Sequence, residues 1–366
     1  MKTHIFVVTI VLLLSLVAIP SVAADSNTEL PIWEVAFDPT PILGPSEADD
    51  TALEFKGRLY FKFWGDEIVD QAWSTPDGEN WSLAWEATSI QEDFEYFWPM
   101  IVFENQIYVV LRDGDGLYSD RIVRTPDGQS WETVAIAEGD ENLWVWYGRL
   151  MSFDSQLYIF VNYWNGEEYS VRLWRSASGN PDTWEDVAQF SCEMAAFASF
   201  KGAMYFGSEW CDGGAQIWRS FDGENWEPIT TNGFGDPSNM YTGNFGEQGG
   251  YFYVGLANED EGGGDIWRTQ DGMSWEPVTT DGFGDLNNFV FMFVTYKENL
   301  YVFSGSYLGI QVYRSKDGVN WIPANEPGWG DPGNYFVMRD GAMFVYKGAL
   351  YVSPAGPAGI LKLVDP

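Results

Sequence analysis

The residues able to do chemistry are unevenly supplied in this chain. Histidine occurs once, as His4. It sits just before an N-terminal apolar run, in a segment that reads as a signal peptide. The rest of the chain therefore has no imidazole for a general base, a Ser-His-Asp triad or a His-ligated metal. The two cysteines, Cys192 and Cys211, are too few to build a zinc site alone. Carboxylates are abundant: 54 Asp and Glu against 19 Lys and Arg give a formal charge of −35. That balance disfavours nucleic acid and anionic lipid as partners.

Several acids stand beside tryptophan and amide groups, in segments that read as loops. They are Trp64 and Asp66, Asp113 and Asp115, Trp164 and Asn165, and Trp210 and Asp212. A flat apolar ring with polar groups at its edge is what recognition of a sugar requires, and these eight residues are the candidate ligand-binding set. Packing between repeats is the competing role for any single tryptophan among 19. The acidic loop containing Glu259, Asp260, Glu261 and Asp265 is the candidate cation site, with Ca²⁺ the ion its hard oxygens suit. The segments Gly233-Phe234-Gly235-Asp236, Gly282-Phe283-Gly284-Asp285 and Gly328-Trp329-Gly330-Asp331 each have Asn three residues on. They read as Asx turns rather than metal loops.

The elements that position these loops come from an internal repeat. An aliphatic or aromatic residue followed by Tyr recurs at Tyr60, Tyr108, Tyr158, Tyr205, Tyr253, Tyr301 and Tyr351, 47 to 50 residues apart. Turns such as Lys56-Gly57, Lys201-Gly202 and Lys347-Gly348 precede it and predict tight β-hairpins. A second signature follows most copies: Thr75-Pro76-Asp77-Gly78 leading to Trp81, and Thr125-Pro126-Asp127-Gly128 leading to Trp131. Asp222, Asp271 and Asp317 centre the later copies, and a degenerate one spans Ser176 to Trp184. Asp-Gly supplies a left-handed turn, and the Ser, Thr and Asp side chains can accept from turn amides. Four strands in each period match one propeller blade.

These hairpins resemble the Asp-box (BNR) repeat of sialidase-like β-propellers, with Gly displaced to the position directly after Asp. The resemblance covers nearly the whole chain after the N-terminal run, and it implies architecture rather than activity. In that family the box is a structural hairpin, which assigns Asp77, Asp127, Asp222, Asp271 and Asp317 to structure. The sialidase Phe-Arg-x-Pro motif is absent. Five of the 11 arginines fall at one repeated strand position (Arg124, Arg175, Arg219, Arg268, Arg314), so sialidase activity is not expected.

The expected fold is all-β: a seven-bladed propeller of four-stranded antiparallel blades. By spacing, the seventh blade would need a Trp beyond Pro366. Trp33, 48 residues before Trp81, is expected to supply that outer strand and close the ring. With Lys201-Gly202 as a two-residue turn, Cys192 and Cys211 fall directly opposite each other, within disulfide reach. A disulfide is expected, with a buried thiol pair as the alternative.

Residues 1–24 read as a signal peptide: Lys2, an apolar run from Ile5 to Ile19, then Ser21-Val22-Ala23-Ala24. Residues 25–366 then form one domain, secreted or extracytoplasmic, monomeric and without membrane insertion. The expected function is non-catalytic binding of a glycan or an extracellular protein through the longer loops. No cofactor is required, with Ca²⁺ the one candidate. A carbohydrate-active hydrolase or lyase using loop carboxylates is the first alternative. An extracytoplasmic scaffold or assembly factor is the second.

Overall fold

The computed structural model describes residues 30–43, 47–65, 68–113, 119–139, 142–258, 263–288, 290–306, 308–335, 341–354, 356 and 358–364. Strand β1 is Ile32–Phe37. Four strands follow as β2 (Glu47–Phe55), β3 (Arg58–Gly65), β4 (Ile68–Thr75) and β5 (Ser82–Glu86). The second set is β6 (Phe94–Phe103), β7 (Gln106–Asp113), β8 (Ser119–Thr125) and β9 (Glu132–Glu138). The third is β10 (Trp144–Phe153), β11 (Gln156–Trp164), β12 (Tyr169–Ser176) and β13 (Glu185–Phe190). The fourth is β14 (Glu193–Phe200), β15 (Ala203–Glu209), β16 (Ile217–Ser220) and β17 (Glu227–Thr230). The fifth is β18 (Tyr241–Gln248), β19 (Tyr251–Ala257), β20 (Asp265–Thr269) and β21 (Trp275–Thr279). The sixth is β22 (Val290–Tyr296), β23 (Asn299–Gly305), β24 (Gln311–Ser315) and β25 (Ile322–Pro323). The chain ends in β26 (Gly341–Tyr346), β27 (Ala349–Pro354) and β28 (Ile360–Val364).

The protein is all-β, built of four-stranded antiparallel sheets consistent with a propeller. Within each set the strands pair in sequence order, and among the described residues the ladder pair Glu209↔Tyr241 joins the fourth set to the fifth. Strand β1 pairs antiparallel with β28, placing Trp33 opposite Leu363 and Val35 opposite Leu361. Trp33 also donates from Nε1 to the Ala324 carbonyl at 2.8 Å and meets the Trp329 ring edge-on at 5.6 Å. First strands of successive sets lie side by side: β2 by β6, β14 by β18, β22 by β26, and β26 by β2. Among the described residues no helix is long and apolar enough to cross a membrane.

The repeated residues have local physical reasons. Lys56 and Gly57 both take positive φ (49° and 74°), as do Lys201 with Gly202 and Lys347 with Gly348. That is the two-residue hairpin geometry that suits the twist of the strands. In the first Asp-Gly hairpin, Thr75 Oγ1 accepts from Gly78 N at 2.9 Å, and Asp77 Oδ1 accepts from Glu79 N and Asn80 N at 2.9 and 2.8 Å. Asp127, Asp222, Asp271 and Asp317 accept in the same way from their own turns.

Among the described residues, four of the repeated arginines form ion pairs within or between sets, Arg175 with Glu185 and Glu224. Arg124 bonds the Tyr108 hydroxyl at 3.2 Å and pairs with Glu132, while Arg219 and Arg268 pair with Glu227 and Glu276. The core lies between sheets. One cluster joins Tyr158, Phe160 and Phe190 of the third set to Met204 and Phe206 of the fourth, each large apolar side chain stabilising by about 1.5–3 kcal/mol when fully buried.

The disulfide is present, with Cys192 and Cys211 5.3 Å apart at Cα. The expected register is corrected. Phe200 pairs Ala203 as the turn requires, but β14 shifts by one residue between Met194 and Ala196, so Glu193 faces Glu209. The cysteines therefore sit just beyond the paired ladder and one step out of direct opposition.

Candidate functional site

Each first strand starts, and each second strand ends, at the edge opposite the tight hairpin turns, where the longer loops gather. At that edge five of the described first strands, β2, β6, β10, β14 and β18, depart from regular register, and three consecutive ones, β6, β10 and β14, do so beside one cavity. Those three shifts fall between Phe97 and Met100 in β6, between Tyr147 and Leu150 in β10, and between Met194 and Ala196 in β14. Bulges re-aim side chains and are enriched beside active sites. Here all three border one cavity of about 440 Å³. Tyr96, Phe97 and Trp98 line it from β6, Trp146 to Arg149 from β10, and Glu193 and Met194 from β14. Lys62, Trp64, Asp70 and Arg112 complete the wall.

Two ion pairs hold the bulged segments in place. Asp70 is buried against Lys62 at 2.9 Å, and its Oδ2 accepts from Phe97 N at 2.9 Å in the next sheet. One repeat later, Asp120 takes two bonds from Arg112 (3.2 and 2.9 Å), and its Oδ2 accepts from Tyr147 N at 2.8 Å. Arg112 also donates to the Tyr147 carbonyl at 3.2 Å. Each carboxylate thus ties the residue entering a bulge to the preceding sheet.

Burial raises the Asp70 carboxyl above its ordinary pKa despite the Lys62 ammonium beside it. Its Oδ1 is buried with no hydrogen-bond partner among the described residues. Burial also pushes the Tyr147 hydroxyl well above the usual phenol range, and Tyr163 and Asp120 add to the effect. The Arg149 guanidinium lies over the Trp98 ring at 5.2 Å, a cation–π contact that fixes both groups at the cavity wall. The arrangement offers aromatic faces, three tethered cations (Lys62, Arg112 and Arg149) and carboxylates within one concave surface.

A second cavity adjoins it, and a third adjoins the second. One of about 540 Å³ is lined by Tyr169, Ser191, Glu193, Trp210, Asp212, Gln216 and the disulfide. Another of about 960 Å³ is lined in part by Tyr163, Asn165, Tyr169, Arg172, Ser191 and Trp218. Of the residues expected from sequence, Trp64 lines the first cavity, Trp210 and Asp212 the second, and Asn165 the third. Trp164 ends β11 opposite Trp144 and lines none of the three. Asp113 ends β7, its backbone paired to Phe94. Asp66 and Asp115 lie outside the described residues.

Of the candidate cation ligands, Glu259, Asp260 and Glu261 also lie outside the described residues. Asp265 is buried, and its Oδ2 accepts from Asn239 Nδ2 at 2.9 Å and from Trp267 Nε1 at 3.3 Å. Among the described residues no three His, Cys, Asp or Glu side chains gather as a metal cluster. The repeated Gly-aromatic-Gly-Asp segments carry the expected Asx turns: Asp236, Asp285 and Asp331 accept from the amide two residues on. Asn239, Asn288 and Asn334 each donate to the first glycine's carbonyl at 2.9 Å.

Sequence reasoning missed Trp98, Trp146, Arg149 and the Lys62–Asp70 pair. One signal was available. Lys62, Asp70 and Phe97 recur as Arg112, Asp120 and Tyr147, each 50 residues later.

No family model and no curated protein matches the chain. It is similar in structure to solved proteins at low identity. A puromycin-hydrolysing peptidase of Mycobacterium tuberculosis aligns with TM-score 0.54 and 8% identity, over 91% of this chain and 56% of that one. The Aleuria aurantia lectin in complex with α-methyl-L-fucoside aligns with TM-score 0.47 and 12% identity, over 80% and 99%. Trypanosoma rangeli sialidase aligns with TM-score 0.46 and 12% identity, over 76% and 53%. The chain thus spans little more than half the peptidase, and the likeness is one of fold.

Proposed function

We propose that residues 25–366 form a single seven-bladed β-propeller, exported behind the leader of residues 1–24, that binds a glycan in the loop-face cavity. The pairing of β1 with β28 and the packing of β26 beside β2 support a ring closed by the N-terminal strand. An edge-free ring also removes the unpaired strands that would otherwise invite aggregation. The Cys192–Cys211 disulfide agrees with an oxidising compartment.

The observation that carries the binding reading is the convergence of three bulged strands on one cavity. It presents Trp64, Tyr96, Trp98 and Trp146 beside Lys62, Arg112, Arg149 and Glu193. Indole and phenol faces take the apolar face of a sugar ring, while the charged groups take its hydroxyl or carboxylate edge. No cofactor is required, and a monomer suffices.

Asp70 and Glu193 in the same cavity support a second reading, a carbohydrate-active hydrolase. Asp70 is already committed to Lys62 and Phe97 N, which favours positioning over proton transfer. Glycan arrays and polysaccharide pull-downs on the mature chain test the proposal. Retention that falls when Trp64 or Trp98, both lining that cavity, is replaced by Ala is expected. No retention on any glycan, or retention indifferent to both substitutions, would overturn it. New reducing ends released from a bound polysaccharide would favour the hydrolase.

A further inference from the structure

We infer that the ligand is an extended oligosaccharide of several rings, running from the central cavity outward between the third and fourth sheets, and not a single terminal sugar. The inference rests on the glycan-binding reading and adds the size and path of the ligand.

The three cavities form a series. Glu193 lines both the first and the second, and Tyr169 and Ser191 line both the second and the third. Each alone, at about 440, 540 and 960 Å³, is of a size that one small ligand fills, since such pockets run to roughly 300–1,000 Å³. Three in a row exceed that need and suit a linear molecule.

An aromatic side chain marks each stage. Trp98 stands in the first cavity, Trp210 in the second and Trp218 in the third. Polar groups interleave them, with Glu193 and Asp212 inside and Asn165 and Arg172 outside. A repeated apolar face with a polar edge is the surface a chain of sugar rings presents.

Trp210 is the second, independent sign. It is 57% exposed although large and apolar. Its backbone is left-handed at φ 53°, a conformation unfavourable for a non-glycine residue. Strain of this kind persists only where the surroundings over-determine it, and it concentrates at functional sites. The neighbouring Cys211 is fixed by the disulfide to Cys192, and the Trp210 ring stands edge-on to Tyr241 at 4.4 Å. The fold therefore holds an indole out over the middle of the groove at a cost to the backbone.

The test is calorimetric titration of the full mature chain with size ladders from xylan, galacturonan, chitin and β-glucan, each from monosaccharide to long oligomer. At least one ladder is expected to bind with affinity rising with length, by about tenfold for each cavity newly filled. Trp210→Ala, an exposed substitution checked for folding by circular dichroism, is expected to weaken long oligomers and leave the shortest binder unchanged. Affinity already maximal for a monosaccharide or disaccharide would overturn the extended groove and leave glycan binding standing. Long oligomers indifferent to Trp210→Ala would do the same. No binding across all four ladders would overturn both.

Discussion

The hydroxyl of Tyr351, on β27, occupies the space where a β-carbon at Gly78 would stand, on the first Asp-Gly hairpin. The same relationship recurs between Tyr158 and Gly223, Tyr205 and Gly272, and Tyr253 and Gly318. In these sets the two loudest repeats in the sequence are therefore one device, the Tyr seating on the glycine of the following set, whereas Gly128 meets the Trp85 ring instead. Positive φ at Gly78, Gly128, Gly223, Gly272 and Gly318 already favours glycine after Asp, and at four of the five the tyrosine hydroxyl leaves no room for a β-carbon. Through Tyr351 and Gly78 the device also joins the last set to the first.

Gly78→Ala should destabilise the protein by about 2–4 kcal/mol, combining a left-handed alanine with overlap on the tyrosine. Gly57→Ala, also at positive φ but with open space around it, should cost only about 1 kcal/mol. Urea denaturation of both variants gives the comparison. In a double-mutant cycle, Tyr351→Phe should recover part of the Gly78→Ala loss.

Replacing both cysteines by serine should lower stability by about 3 kcal/mol, as expected for a disulfide closing a short loop. The bridged residues are 19 apart. Thermal unfolding of the oxidised, reduced and double-serine forms measures this. The latter two should also bind the retained glycan more weakly, because Trp210 loses its tether.

Asp70→Ala should cost about 3–5 kcal/mol, since it leaves Lys62 buried without its counter-charge. Lys62→Met combined with Asp70→Asn should recover much of that loss, because the amide still accepts from Phe97 N while no lone charge remains. Equilibrium unfolding of the three proteins decides it.

The hairpin carboxylates predict acid sensitivity. The amides of Asn80 and Glu79 hold Asp77 well below the usual carboxylate range. Asp222 and Asp271 are lowered by the same kind of bonds. At Asp317 burial opposes the shift, but its bonds from Asn320 and Val319 prevail and bring it to about 2. A depressed folded-state pKa stabilises above the unfolded value of about 3.9 and is lost as pH falls through the folded one. Stability should therefore drop between about pH 4 and 2. Asp70 and Asp265, raised by burial, act in the opposite sense, weakening the fold as pH rises through their folded values. Urea midpoints across this range should show the loss, and Asp317→Asn should flatten it.

Much of the architecture was legible because its signals are local. The Lys-Gly and Asp-Gly turns fix hairpins within a few residues, and the Trp33 strand could be placed by its fixed distance from Trp81. The site was less legible, because it is made where first strands depart from regular pairing. A bulge at Ala195 moved Cys192 out of direct opposition to Cys211. Similar bulges expose Trp98 and Arg149, which the alternation of strand residues gives no means of aiming. The Lys62–Asp70 pair acts on Phe97 across sheets, so its role appears only once the sheets are side by side.

The most direct measurement is a crystal structure of the mature chain with the best-retained oligosaccharide. Sugar rings against Trp98 and Trp210, on the side of the molecule opposite the Lys-Gly turns, are the predicted result. Rings bound instead at the Asp-Gly hairpins or along the outer strands would contradict the account.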